Sequence, residues 1–187
     1  MQIEQTLLDT FIRDYQESEM VVIALGSEMN QKVISQDEEL SKLLHFYQPI
    51  LDKKNYFIIS TNSDRLLEDS EYNQRRLVEP VLNGTLEPLQ QEAQSPEEKQ
   101  WDFYNKWLSA TLNHKLLLIE LGEGFQHLNI VRSPFEKITF INQKSKMYRI
   151  NEIFPQVPKT IETRATSVSI NSYTFLTEVM NYIGENR

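Results

Sequence analysis

The sequence contains no cysteine and very little histidine. The absence of cysteine excludes disulfides, cysteine nucleophiles and every zinc site that uses cysteine ligands. The three histidines, His45, His114 and His127, share no spacing that is typical of metal ligands. We therefore expect no zinc or other metal site. An intracellular, cytoplasmic location is consistent with this composition.

Long apolar runs and an excess of positive charge are absent as well. No run approaches the roughly 18–20 apolar residues that cross a bilayer, and the beginning of the chain, MQIEQTLLDTF, is too acidic and polar for a signal peptide. The formal net charge of −8 repels nucleic-acid phosphates. We expect neither a membrane nor a nucleic acid as a partner. The length of 187 residues predicts a single domain over residues 1–187.

Glycine is also rare, yet two of the five glycines lie in one stretch, KLLLIELGEGF at Lys115–Phe125. Leu116–Ile119 is apolar without alternation, which predicts a strand buried on both faces of a parallel sheet. The strand ends at the turn Gly122–Gly124, and Ser133 is the predicted N-cap of the following helix, with a proline and a glutamate in its first turns. Such a turn either binds a ligand or is an ordinary connection in the core, and the spacing alone favours the second interpretation.

Apolar runs alternate with helical patterns along the rest of the chain. The predicted strands are Met20–Leu25, Tyr56–Ser60, an edge strand within Leu77–Val81, Lys146–Asn151 and Ser167–Ile170. Amphipathic helices are predicted over residues 6–16 and 37–47, from Pro96 onward, and after a cap at Asn171 or Ser172. The polar segment Asn83–Gln100 is predicted to be mainly a loop. Aromatic residues at helical spacing around Trp101, Tyr104 and Trp107 are more typical of a core than of a ligand box.

Polar or glycine residues follow the ends of these strands. They are Gly26-Ser27, the sequence Thr61-Asn62-Ser63-Asp64, Gly122–Gly124 and Asn151. Because the carboxyl ends of parallel strands meet at one edge of a sheet, these residues are expected to lie together. The pattern predicts an α/β fold, with a Rossmann-like, doubly wound and mostly parallel sheet that carries helices on both faces.

The same residues resemble the sirtuin (Sir2) superfamily, and within it the bacterial macrodomain-associated sirtuins, some of which are protein ADP-ribosyltransferases. The resemblance rests on T-N-S-D after a strand, on ELGEGF followed by VRSPFE, and on R-I-N, over about residues 55–158. It implies NAD as a possible cofactor. Catalytic roles would fall on Asn62, Asp64 and Arg132. The resemblance also implies cofactor-binding residues, namely Gly26, Ser27, Thr61, Asn62, Gly122, Gly124 and Asn151.

The chain departs from the family pattern at several points. The family's Gly-Ala-Gly-x-Ser turn is here Ala24-Leu25-Gly26-Ser27-Glu28, which places a carboxylate where phosphates would be repelled. The family's cofactor loop and zinc ribbon have no counterpart, so no small zinc domain is expected. The catalytic histidine expected after Glu79-Pro80 is also missing.

These residues favour a divergent sirtuin-like protein that either binds NAD or ADP-ribose weakly or acts as a non-catalytic partner of another protein. The alternative is an NAD-dependent protein ADP-ribosyltransferase acting on a protein substrate, because positioning and electrostatics can carry much of that reaction. NAD-dependent deacylation is the least supported function, since it requires a base to activate the ribose hydroxyl.

Overall fold

A six-stranded parallel sheet forms the centre of the protein, in the order β3-β2-β1-β4-β5-β6. The computed structural model describes residues 3–30, 53–64, 67, 72–81 and 96–185. The strands are β1 Met20–Leu25, β2 Asn55–Ser60, β3 Leu77–Val78, β4 Leu116–Leu121, β5 Lys146–Ile150 and β6 Ala165–Val168. The helices are α1 Gln5–Glu17, α2 Pro96–Ala110, α3 Arg132–Ile141 and α4 Ser172–Glu185, with short 3-10 turns at Ser27–Met29, Gln74–Arg76 and Lys159–Ile161.

Strand β4 lies in the middle of the sheet, between β1 and β5, and all six of its residues are buried. The prediction from Leu116–Ile119 is therefore confirmed. Because a parallel strand that is covered on both faces exposes neither face to solvent, its sequence does not alternate between apolar and polar residues. The predicted edge strand is the two-residue β3.

Helices cover both faces of the sheet, as the doubly wound prediction requires. On one face, α1 and α4 pack on alternate strand residues; Phe11 of α1 contacts Tyr148 and Phe175 edge-on, with ring centroids 5.0 and 5.2 Å away. On the other face, α2 and α3 pack on the remaining strand residues, through side chains such as Tyr104 and Phe135. Two apolar layers therefore sandwich the sheet.

The aromatic residues of α2 lie mainly in this second core. Tyr104 and Trp107 are buried against Phe57, and the Trp107 indole donates a hydrogen bond to the Asn55 side chain at 2.9 Å. The core interpretation of this aromatic pattern is thus confirmed for these two residues. Phe103 is the exception on this helix, since about half of its surface is exposed.

Some predicted boundaries differ from the structure. Helix α3 begins at Arg132, with Val131 at the N-cap, so Ser133 lies inside the first turn and does not cap it. The last strand ends at Val168 and begins two residues earlier than predicted. The predicted helix over 37–47 and residues 82–95 of the polar segment lie outside the described residues. Within the described part of the chain, no helix is long and apolar enough to span a membrane.

Candidate ligand-binding site

The strand order contains a topological switch point, where the connections after two neighbouring strands run to opposite sides of the sheet. That point lies between β1 and β4, because β2 and β3 extend the sheet on one side and β5 and β6 on the other. Ligands of open α/β sheets bind at such a switch point, outside the carboxyl ends of the strands. Here the turn after β1 begins with Gly26 and the turn after β4 begins with Gly122.

The two turns pack directly against each other. A Cβ atom added to Gly26 would lie 2.5 Å from the Gly122 carbonyl oxygen and 2.6 Å from the Glu123 backbone. Gly26 donates its N–H to Leu121 and Gly122 donates its N–H to Ile150, at 2.8 and 2.9 Å. Gly26 therefore serves a close contact with the backbone of the turn after β4, and the N–H groups of both glycines are already used within the sheet.

Glu28, in the short 3-10 turn after β1, crosses this contact. One carboxylate oxygen accepts hydrogen bonds from the backbone N–H and the hydroxyl of Ser172, at 2.8 and 2.7 Å, and the other accepts from the Glu152 N–H at 2.9 Å. Gly122 has φ +69° and lies so close that an added Cβ would be 2.3 Å from the Glu28 Cβ. The side chain thus connects the β1 turn to the turn after β5 and to the first residue of α4.

Thr61 and Asn62 follow β2 at the same edge. The Asn62 amide donates to the carbonyls of Gly26 and Met29, at 3.0 and 3.1 Å, so it holds the β1 turn in place. The Thr61 hydroxyl donates to a Glu123 carboxylate oxygen at 2.9 Å. The other predicted residue of this segment, Asp64, is half-buried.

Glu123 is a central residue of this edge that sequence reasoning did not assign to the site. Its side chain is 3% exposed, and desolvation raises its pKa to about 8, with Glu120 adding repulsion and the Thr61 hydrogen bond and Arg132 acting in the opposite direction. The carboxyl group is therefore largely protonated at neutral pH. An acid placed directly after a buried strand, within a Gly-x-Gly turn, was the available signal.

Arg132 and Asn151 join the turns after β4 and β5. The Arg132 guanidinium donates to the Phe154 carbonyl at 3.0 Å and to the Glu123 carbonyl at 3.4 Å, and lies 4.7 Å from the centre of the Phe125 ring. Asn151 donates to the Glu123 carbonyl at 3.0 Å and accepts from the backbone N–H groups of Ile153 and Phe154. Desolvation and the neighbouring Arg149 lower the pKa of Arg132.

A buried ionic cluster beneath the edge was also absent from the sequence prediction. Arg149 of β5 forms two hydrogen bonds with its cross-strand neighbour Glu120, at 2.8 and 2.9 Å, and a third with Glu136 of α3 at 2.8 Å. Arg149 and Glu120 are almost completely buried. The Arg132 guanidinium lies 3.6 Å from the same Glu120 carboxylate. Removal of one member would weaken the charge compensation of the others in the core, so the cluster has a structural role.

The structure brings most of the predicted residues to one edge. Gly26, Ser27, Thr61, Asn62, Gly122, Arg132 and Asn151 are connected by the contacts above or, for Ser27, by a 3.4 Å hydrogen bond to the Gly122 carbonyl. Gly124 is more open, since an added Cβ would meet nothing within 4 Å. Among the described residues, no group of three or more His, Asp or Glu side chains is arranged to hold a metal ion.

This geometry does not fit the pyrophosphate of a dinucleotide at the β1 turn. Such a group is normally held by free backbone N–H groups beside a glycine that permits close approach. In this structure the N–H groups of Gly26 and Gly122 are donated to strand carbonyls. The space beside Gly26 is filled by backbone and the space beside Gly122 by Glu28, whose carboxylate adds a negative charge.

The fold is similar to that of sirtuin structures. A structure of Sir2Tm bound to a propionylated peptide matches with a TM-score of 0.57 and 15% identity, over 95% of this chain and 98% of that one. A Sir2 complex with the inhibitor EX-527, 2'-O-acetyl-ADP-ribose and a deacetylated p53 peptide matches with a TM-score of 0.56 and 15% identity, over 94% and 99%. An exopolyphosphatase-related protein from Bacteroides fragilis gives 0.54 and 11% identity, over 97% of this chain and 45% of that one. No protein-family model and no curated protein matches the sequence. The predicted sirtuin-like fold is confirmed.

Proposed function

We propose that this chain is a non-catalytic, sirtuin-like protein that acts by binding another protein. The observation that carries the proposal is the use of the candidate catalytic side chains within the chain itself. The amide of Asn62 donates to two backbone carbonyls, and the guanidinium of Arg132 is buried between two turns. Side chains committed in this way hold the turns together and would have to leave their partners in order to contact a substrate.

An exposed apolar patch at the same edge supports a protein partner. Phe125 and Phe154 pack edge-on with ring centroids 4.8 Å apart, and both are at least 40% exposed. Leu128 and Ile153, on the same two loops, are exposed apolar side chains as well. Adjacent exposed apolar side chains of this kind are typical of interaction sites. The Sir2Tm structure with a similar fold is bound to a peptide, which is consistent with peptide or protein recognition by this chain.

The first experiment measures NAD turnover. Purified protein is incubated with labelled NAD and a cell lysate, and we expect neither loss of NAD nor labelled protein above the level of a heat-denatured sample. The second experiment tests binding. Phe125→Ser with Phe154→Ser should abolish a complex that the wild-type protein forms, whereas Phe140→Ser, at an equally exposed phenylalanine on α3, should preserve it. Turnover of NAD by the wild-type protein would contradict the proposal.

The second candidate is an NAD-dependent protein ADP-ribosyltransferase. It is favoured by Arg132 and Glu123, which lie together at one edge of the sheet. Glu123 is a buried acid whose pKa of about 8 suits proton transfer near neutral pH. For this function, labelled NAD should modify a partner protein, and Arg132→Ala should abolish the label. Label transfer that persists in a folded Arg132→Ala variant would exclude a catalytic role for this arginine.

A further inference from the structure

A cavity lies at the amino ends of the strands, at the edge of the sheet opposite to the candidate site. It is lined by the end of α1, the start of β4, the turn between α3 and β5, and Arg164 just before β6. Its volume is about 390 Å³. Pockets that bind small molecules typically measure about 300–1,000 Å³, so this cavity is large enough for such a ligand.

The charge of the cavity is opposite to that of the whole chain, which has a formal net charge of −8. Four cationic side chains and two acidic ones line it, namely Lys115, Lys144, Lys146 and Arg164 against Asp14 and Glu17. The Asp14 carboxylate already accepts a hydrogen bond from the Tyr148 hydroxyl at 2.7 Å. The Glu19 carboxylate, which Lys144 attracts, shares a hydrogen bond with the His114 imidazole at 2.8 Å. The cavity is therefore suited to an anion.

The alternative role for cations at this edge is to neutralise the carboxyl ends of helices. Arg164 does so, because its Nε and Nη2 donate to the Thr139 carbonyl of α3 at 3.3 and 3.0 Å. Lys54 does the same at the end of α1, where it donates to the Gln16 carbonyl at 3.0 Å. In the part of the chain that the structure describes, the ammonium groups of the three cavity lysines neither donate a hydrogen bond nor form an ion pair. The helix ends thus leave these three charges unexplained.

We propose that this cavity binds a small molecule that carries two or more phosphate groups. A lysine ammonium is a point charge with rotatable donors, which pairs readily with phosphate oxygens, whereas a planar carboxylate is held best by the fork of a guanidinium. Most of the Arg164 fork is used on α3, so lysines supply the available charge. More than one phosphate group is needed to match three ammonium groups. The proposal does not depend on the proposed function, whose residues lie at the other edge of the sheet.

Titration calorimetry with sodium pyrophosphate tests the site, at an ionic strength of ~0.15 M set by sodium chloride. We expect the wild-type protein to bind, and Lys144→Gln with Lys146→Gln to weaken binding about tenfold or more, because two of the cavity charges are lost. The matched control is Lys99→Gln with Lys106→Gln, at two exposed lysines of α2 outside the cavity. It changes the net charge equally and should bind as tightly as wild type. Inorganic phosphate and citrate should both bind more weakly than pyrophosphate.

Three results would overturn the proposal. They are no binding of pyrophosphate by the wild-type protein, an equal loss of affinity in the control variant, which would indicate non-specific attraction, and binding of citrate as tight as that of pyrophosphate. Circular dichroism checks that the variants fold. Should the double variant not fold, Lys115→Gln, at an exposed position, should weaken binding severalfold, and an unchanged affinity would overturn the proposal. The NAD turnover experiment decides the proposed function separately.

Discussion

Glu123→Gln should remove a large pH dependence from the stability of this protein. The buried carboxyl has a pKa of about 8 in the folded protein, against an ordinary value of 4.5, with desolvation as the main cause. Between these two pH values the folded chain keeps a proton that the unfolded chain has lost. The free energy of unfolding therefore falls as pH rises from 4.5 to about 8, and it levels off above that interval.

The magnitude follows from the same interval. Each pH unit corresponds to about 1.4 kcal/mol, so the whole interval amounts to roughly 5 kcal/mol. Because Glu123 is 3% exposed, solvent screening reduces this figure little. A glutamine resembles the protonated acid in shape and can keep a hydrogen bond with Thr61, but it does not titrate. Glu123→Gln should thus match the wild-type protein near pH 5 and exceed its stability by several kcal/mol near pH 9.

Urea denaturation at pH 5, 6, 7, 8 and 9 measures this difference, with the change in stability read from the midpoint at constant slope. Glu162→Gln, which removes a charge at an exposed position, is the control and should follow the wild-type curve. If the curves of Glu123→Gln and wild type run parallel across this range, the buried, protonated state of Glu123 is refuted.

Three further substitutions test the packing that supports the site. Gly122→Ala should destabilise the protein by roughly 2–4 kcal/mol, because Gly122 has φ +69° and a Cβ there would collide with Glu28. The control Gly124→Ala should be nearly neutral. Equal urea midpoints for the two variants would contradict the close contact at Gly122. Arg149→Met should cost about 3 kcal/mol, because the buried Glu120 carboxylate would keep only the Arg132 guanidinium, 3.6 Å away, as an ionic partner. Adding Glu120→Leu should restore part of the loss, and a double variant as unstable as the single one would contradict this account. Phe11→Ala should lower the free energy of unfolding by about 3–5 kcal/mol, measured by thermal unfolding, because the Phe11 ring joins α1 to the sheet. A loss below 1 kcal/mol would show that neighbouring side chains move in to fill the cavity.

The elements of the sheet could be predicted because their signals are local. The strand at Leu116–Leu121 carries an apolar run that only a sheet covered on both faces explains, and the amphipathic stripe of α1 indicates its buried side directly. Helix α3 shows the limit of such signals. Ser133 and Pro134 resemble a capped helix start, but the helix begins at Arg132, because the Phe135 N–H already donates to the Val131 carbonyl at 2.9 Å.

The site was predictable as a location and only partly as a set of contacts. Gly26, Asn62, Gly122 and Asn151 lie at one edge because parallel strands carry their carboxyl ends to the same side. Which of their polar atoms remain available depends on partners far away in the sequence. The amide of Asn62, for example, reaches the carbonyl of a residue 36 positions earlier in the chain.

Glu28 shows most clearly what each level decided. The sequence by itself determined that a carboxylate follows the first glycine turn and that it would oppose a phosphate there. Only the tertiary structure decided where that carboxylate points, because its three donors belong to residues more than 120 positions later. Local propensity acts over a few residues, whereas a site at a sheet edge is assembled from turns that the folding of the whole chain brings together.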